Sequence, residues 1–148
     1  MIRTPLQRRC FALDLKDDAA AIESYKHWHR PGGPPPEVTR SLRDAGIAAL
    51  DIYLIGNRLF MIMDSDPAAA SSAKSTDDSD NPHVQAWEAL MSELQQELPF
   101  PKNESNAGKW QLLEHIYSLA AQPRNYCVTA GQARRNLACS MPRETFAT

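Results

Sequence analysis

Ala49-Leu50-Asp51-Ile52-Tyr53-Leu54-Ile55-Gly56-Asn57-Arg58-Leu59-Phe60-Met61-Ile62-Met63 is the stretch on which the fold turns. Two apolar runs, Ala49 to Ile55 and Arg58 to Met63, flank Gly56-Asn57, a pair with the conformational freedom that a tight hairpin turn requires. Upstream, from Arg9 to Leu15, Phe11, Leu13 and Leu15 alternate with Cys10, Ala12 and Asp14, the period of a half-buried strand. Asp17 and Asp18 then supply an N-cap and negative charge for a helix. In that helix Ile22, Tyr25 and His29 are spaced by three and four, so they share one face. Arg30-Pro31-Gly32-Gly33-Pro34-Pro35-Pro36 must interrupt it, because consecutive prolines remove donors and fix the backbone. Helix resumes at Glu37 with Val38, Leu42 and Ala45 on its apolar face, and Gly46 is placed to end it.

Downstream of the hairpin, Ser65 to Asn81 offers no large apolar residue to bury, which predicts a flexible insert. Val84, Trp87, Met91, Leu94 and Leu98 predict an amphipathic helix ended by Pro99 and Pro101. Trp110 to Leu119 reads as a last strand, with Leu113, His115 and Tyr117 on one face and Leu112, Glu114 and Ile116 on the other. Beyond Ala120 no period is sustained, and four Arg against one Glu make the segment basic. The expected organisation is one α+β domain over residues 8–120, with a flexible insert at 65–81 and a disordered tail at 121–148. Strand, helix, hairpin, helix, strand is the ferredoxin-like β-α-β-β-α-β order, which lays both helices on one face of an antiparallel sheet. Strands carrying Phe11, Leu13, Ile52, Phe60 and Ile62 cannot easily leave the other face in water. A homodimer of the dimeric α/β barrel type is therefore expected.

The 148 residues suit one core, and 16 Lys and Arg against 18 Asp and Glu give a net charge of −2, no field for nucleic acid or an acidic membrane. No apolar run reaches the roughly 20 residues of a membrane helix, and Met1 to Arg9 lacks the apolar stretch of a signal peptide, so the cytoplasm is expected. Cys10, Cys127 and Cys139 are an odd set without CxxC spacing, consistent with reduced thiols.

Tyr25-Lys26-His27-Trp28-His29 is the densest group of chemistry-bearing side chains. Tyr25 and His29 stand one helical turn apart, so a phenol and an imidazole project together, and the imidazole can both give and take a proton near neutrality. A purely structural role at a polar edge of the core is the alternative. His27 and His29 cannot share a helical face, and His83 and His115 have no carboxylate or cysteine at ligand spacing, so no metal is expected. GxGxxG, GxxxxGK[ST] and GxSxG are all absent.

Several of these segments together resemble the L-rhamnose mutarotase family, which includes L-fucose mutarotases. The likeness is carried by Cys10-Phe11-Ala12-Leu13-Asp14-Leu15, the Tyr25-x-x-x-His29 pattern, Pro36-Glu37, and Gly46 ahead of Asp51-Ile52-Tyr53. It continues through Asn57 to Met63, Trp87-Glu88-x-Leu90-Met91, and Lys109-Trp110 before Glu114-His115-Ile116-Tyr117-x-Leu119. The resemblance implies a dimeric ferredoxin-like enzyme, without cofactor or metal, that interconverts the α and β anomers of a 6-deoxy-L-sugar. It implies His29 as the catalytic proton donor, with Tyr25 holding the sugar or relaying. Trp87, Glu88, Tyr53 and Trp110 are the expected substrate contacts, the tryptophans as an apolar wall for the sugar's C–H face. Leu50 stands where the rhamnose enzymes have a second sugar-binding tyrosine, and Glu88 where they have the second of two tryptophans. Trp87-Glu88 and Lys109-Trp110 look more like the L-fucose branch. A monooxygenase or heme-handling enzyme of the same dimeric fold, or a non-catalytic binding module, is the competing reading.

Overall fold

The computed structural model describes residues 5–72, 80–102 and 108–123. Residues 73–79 of the expected insert, and the tail from 124 onward with Cys127 and Cys139, lie outside the described residues. The elements run β1 (Gln7–Leu15), α1 (Ala19–Trp28), α2 (Pro36–Asp44), β2 (Ile47–Ile55), β3 (Arg58–Ser65), α3 (Pro67–Ser72), α4 (Pro82–Leu94), β4 (Gln95–Gln96) and β5 (Gln111–Leu112). They form an antiparallel sheet of order β2-β3-β1-β4, with β5 also on β1. This is the ferredoxin-like arrangement expected from the sequence, with β1 and β3 central. His115 opens a second unit, in which Leu119–Ala121 makes a short 3-10 turn.

Local signals set the boundaries in the first half of the chain. Gly56, with φ of 58°, takes the left-handed position of the two-residue turn, and Ile55 pairs with Arg58 across it. Asp18 caps α1 by accepting from the N–H groups of Ala20 and Ala21. Gly46, with φ of 82°, follows the last turn of α2 and releases the chain into β2.

Strand alternation divides the sheet into two faces. Leu13, Leu15 and Leu59 are fully buried beneath the helices and form the core with Tyr25 of α1 and Met91 of α4. Ile52 and Leu54 of β2 pack against this core, as do Ile22, Trp87, Leu90 and Leu94 from the helices. On the opposite face Tyr53 and Ile55 are largely exposed, beside half-buried Phe60 and Ile62. Asp14 is buried on that face and held by Arg58, whose Nε lies 2.8 Å from Oδ1 and whose guanidinium sits over Phe100. An ion pair explains how a carboxylate tolerates the middle of the sheet.

Three expectations are corrected. Helix was expected to continue to Leu98, but α4 ends at Leu94, and Gln95 turns extended to pair with Leu15. Pairing with β1 prevails over the helical period, although Leu98 is still buried. The last strand was expected to span Trp110 to Leu119, but only Gln111 and Leu112 are strand, followed by one further bond from Leu113 N–H to the Cys10 carbonyl. One edge of β1 is shared by two short segments, so neither builds a long ladder. Within the expected insert, Pro67–Ser72 is helical, with Asp66 accepting from the Ala68 N–H at 2.9 Å.

Leu13 faces Leu59 across the central pair of strands and is wholly buried. Leu13→Ala should therefore lower the unfolding free energy by about 2–5 kcal/mol, read from the urea midpoint. A loss below about 0.5 kcal/mol, the scale of a surface substitution, would contradict this core.

Candidate active site

The end of α1 gathers the chemistry. Tyr25 lies in its last turns with its ring buried in the core, and His29 caps the helix C-terminus. Their rings stack, with centroids 4.1 Å apart and planes inclined by 24°. His29 Nδ1 lies 2.8 Å from the Tyr25 backbone carbonyl. A carbonyl can only accept, so Nδ1 carries the hydrogen and donates it. Nε2 of the neutral ring is then left with its lone pair. Half-burial lowers the His29 pKa from its ordinary 6.5, and the bond to the Tyr25 carbonyl opposes this without reversing it. At neutral pH the imidazole is uncharged, with Nε2 a proton acceptor.

Tyr25 is no acid at neutral pH. Burial holds its phenol well above the usual tyrosine value, and a hydrogen bond with the Gln95 side chain only partly offsets this. Gln95 is fixed by its pairing with Leu15, and its carbonyl, with that of Ser92, accepts from Lys109 Nζ at 3.3 and 2.9 Å. A lysine on the final carbonyls of α4 is the favourable charge for a helix C-terminus.

From α4, Trp87 brings its indole edge-on to His29, with centroids 5.3 Å apart and planes at 63°. Trp28 meets Trp87 in turn at 6.5 Å and 84°. Of the residues singled out from sequence, Tyr25, His29 and Trp87 come together here. Trp110 packs against the core cluster that includes Tyr25, and Glu88 follows Trp87 but is exposed. Tyr53 does not join them. Ile52 and Leu54 point to the helix-covered core, so alternation turns Tyr53 to the opposite face, where it is 57% exposed. Trp28 stood in the dense group read from the sequence but without a role of its own, whereas Gln95 escaped it, reaching Tyr25 only through a strand pairing that sequence does not display. Among the described residues, no three His, Cys, Asp or Glu side chains converge to hold a metal ion. No helix among them is long and apolar enough to cross a membrane.

Comparison with known proteins gives this arrangement its class. The family model for L-rhamnose mutarotase matches residues 8–119. An L-fucose mutarotase from Xanthomonas campestris pv. campestris is 45% identical over 119 residues, covering 78% of this chain and 90% of that protein. The crystal structure of an L-rhamnose mutarotase from Formosa agariphila shares the fold, with a TM-score of 0.53 and 23% identity over 76% of this chain and 98% of that one. The class is that of carbohydrate isomerases. Within it, the chain belongs to the L-rhamnose mutarotase family.

The His29 environment has a pH consequence of definite sign. Unfolding returns the imidazole to water and to a pKa near 6.5, so below that pH the unfolded chain binds the proton more readily. Stability from this group is complete above about pH 6.5 and is lost as the pH falls through the depressed folded value. An NMR titration of the His29 ring should show a midpoint below 6.5, and a midpoint at or above it would contradict the buried neutral imidazole.

Proposed function

We propose that the chain is a mutarotase interconverting the α and β anomers of a 6-deoxy-L-hexose, with L-fucose as the preferred sugar, and that His29 moves the proton. The observation that carries the mechanism is the 2.8 Å bond between His29 Nδ1 and the Tyr25 carbonyl, which leaves Nε2 as a base. Support for L-fucose comes from the 45% identical relative that bears that name.

In the ring-closed sugar the anomeric hydroxyl carries the proton to be removed and the ring oxygen is the leaving group. Nε2 takes the proton from O1, the C1–O1 double bond forms, and the C1–O5 bond breaks. The imidazolium then delivers its proton to O5, leaving the open-chain aldehyde. Rotation about C1–C2 presents the other carbonyl face, and the same steps in reverse close the second anomer. His29 is thus acceptor before donor, which refines the donor role expected from sequence. The proton count is unchanged over the cycle, so one neutral imidazole suffices. Tyr25 is a positioning residue: its ring supports the imidazole and its carbonyl fixes the tautomer. Trp87 walls the sugar, and Glu88, next to it in the chain and exposed, accepts a hydroxyl. Trp110 and Tyr53, also expected as sugar contacts, lie against the core and on the opposite sheet face.

His29→Ala should slow anomer exchange of L-fucose by roughly 10² or more, the scale of one acid-base group. Exchange spectroscopy by NMR reads this directly, with exposed His83 on α4 as the site of a control substitution, His83→Ala. Normal exchange by folded His29→Ala would overturn the mechanism. Tyr25→Phe retains ring and carbonyl, so it should keep most of the exchange rate. A collapse comparable to His29→Ala would make the phenol a proton carrier.

The same reading includes a homodimer through the sheet face opposite the helices, supported by Tyr53 at 57% and Ile55 at 71% exposure beside Phe60 and Ile62. Sedimentation at micromolar concentration should give twice the 16.5 kDa chain mass, and Ile55→Glu should shift the protein toward monomer. A parent protein that sediments as a monomer would remove the dimer from this reading.

A further inference from the structure

Trp28 is left unexplained by the core and by the acid-base chemistry. It is 36% exposed, lies outside the hydrophobic core, and yet presents its indole to Trp87 at 6.5 Å with planes at 84°. On its other side the His27 ring meets it edge-on at 6.0 Å. Its backbone is not that of a fraying helix end. Gly33 folds back over the last turn of α1, its N–H donating to the Arg30 carbonyl at 2.7 Å. A Cβ on Gly33 would lie 2.3 Å from the Trp28 carbonyl oxygen and 2.9 Å from that of Arg30, so only glycine permits this closure. Sequence therefore provides a clamp on the residue that precedes the catalytic histidine.

We infer that Trp28 is a substrate-binding, specificity-determining residue, forming with Trp87 a right-angled apolar corner beside His29 that receives the methyl-bearing C–H face of the sugar. This rests on the mutarotase reading above. Two indoles at near right angles contact two sides of a small group, which a single stacked ring cannot do. The 6-deoxy-L-hexoses carry a methyl group on C5. In L-fucose the axial O4 also leaves the hydrogens of C3, C4 and C5 on one side of the ring, continuous with that methyl. Such a face gains by leaving water for an aromatic surface. L-galactose differs from L-fucose by one hydroxyl at C6, which would lose hydration against indole without gaining a partner. The corner thus distinguishes a methyl from a hydroxymethyl group. Because Trp28 does not touch the reacting proton, its contribution falls on binding and not on the chemical step.

The experiment is anomer exchange measured by NMR over a range of L-fucose and L-galactose concentrations, for the parent, Trp28→Ala and Trp28→Phe. Trp28→Ala should raise KM for L-fucose by roughly three- to tenfold, the scale of one buried apolar group, with kcat within about twofold. The preference for L-fucose over L-galactose should narrow by a similar factor, and Trp28→Phe should restore much of both. If Trp28→Ala fails to fold, Trp28→Phe and Trp28→Leu carry the same comparison, Leu showing the larger effect. Unchanged KM and unchanged preference in the folded variants overturn the inference while leaving the mutarotase reading intact. So does a fall in kcat at constant KM, which would assign Trp28 to the support of His29. A parent protein that exchanges no 6-deoxy sugar overturns both.

Discussion

The Tyr25 carbonyl accepts twice from the same residue, from the His29 backbone N–H at 3.2 Å and from its ring Nδ1 at 2.8 Å. The first is the ordinary bond of an α-helix, and the second is available because His29 is where α1 ends. The Pro-rich segment after Arg30 stops the helix, and His29 is freed to fold its ring back on Tyr25. One carbonyl then determines the tautomer, the ring orientation and the identity of the free nitrogen. A carbonyl cannot be removed by side-chain substitution, so the device is built into the fold.

A second constraint decides what surrounds that imidazole. β1 has one edge on β3 and the other shared between Gln95–Gln96 and Gln111–Leu112. Pairing of Gln95 with Leu15 ends α4 at Leu94, and from this helix end Trp87 meets His29 and Gln95 bonds Tyr25. Lys109, which precedes the other edge segment, secures the same helix end from the opposite direction. The Tyr25–His29 pair on α1 and Trp87 on α4 are thereby tied to the same few residues of the central strand.

Whatever depended on neighbours in sequence was legible there: the Gly56-Asn57 hairpin, the Asp18 cap, the Gly46 stop, and the Tyr25–His29 pair one turn apart. Trp87 was reached only through family resemblance, because nothing local places α4 against α1. Alternation along β2 sets Tyr53 on the face opposite Ile52 and Leu54, but period alone does not say which of two faces the helices cover. The same ignorance of long-range pairing carried α4 to Leu98 and the last strand to Leu119. In each case a periodic pattern was continued past the point where a tertiary partner took the backbone.

A base buried against tryptophan has to reconcile two demands. In the proposed chemistry, desolvation keeps the imidazole neutral at the pH where the sugar must find it, but the same desolvation penalises the imidazolium that forms when the proton arrives. A pKa depressed too far would leave a poor base, since proton transfer is most effective when donor and acceptor are matched near the working pH. The Tyr25 carbonyl answers the second demand, because its bond to Nδ1–H strengthens once the ring is charged. Burial and carbonyl therefore act in opposite senses on one group, as their opposing effects on the His29 pKa record. Trp87, edge-on to the His29 ring at 5.3 Å, is part of that burial. If Trp87 walls the sugar as proposed, the surface that holds the substrate and the surface that sets the basicity of His29 are one and the same.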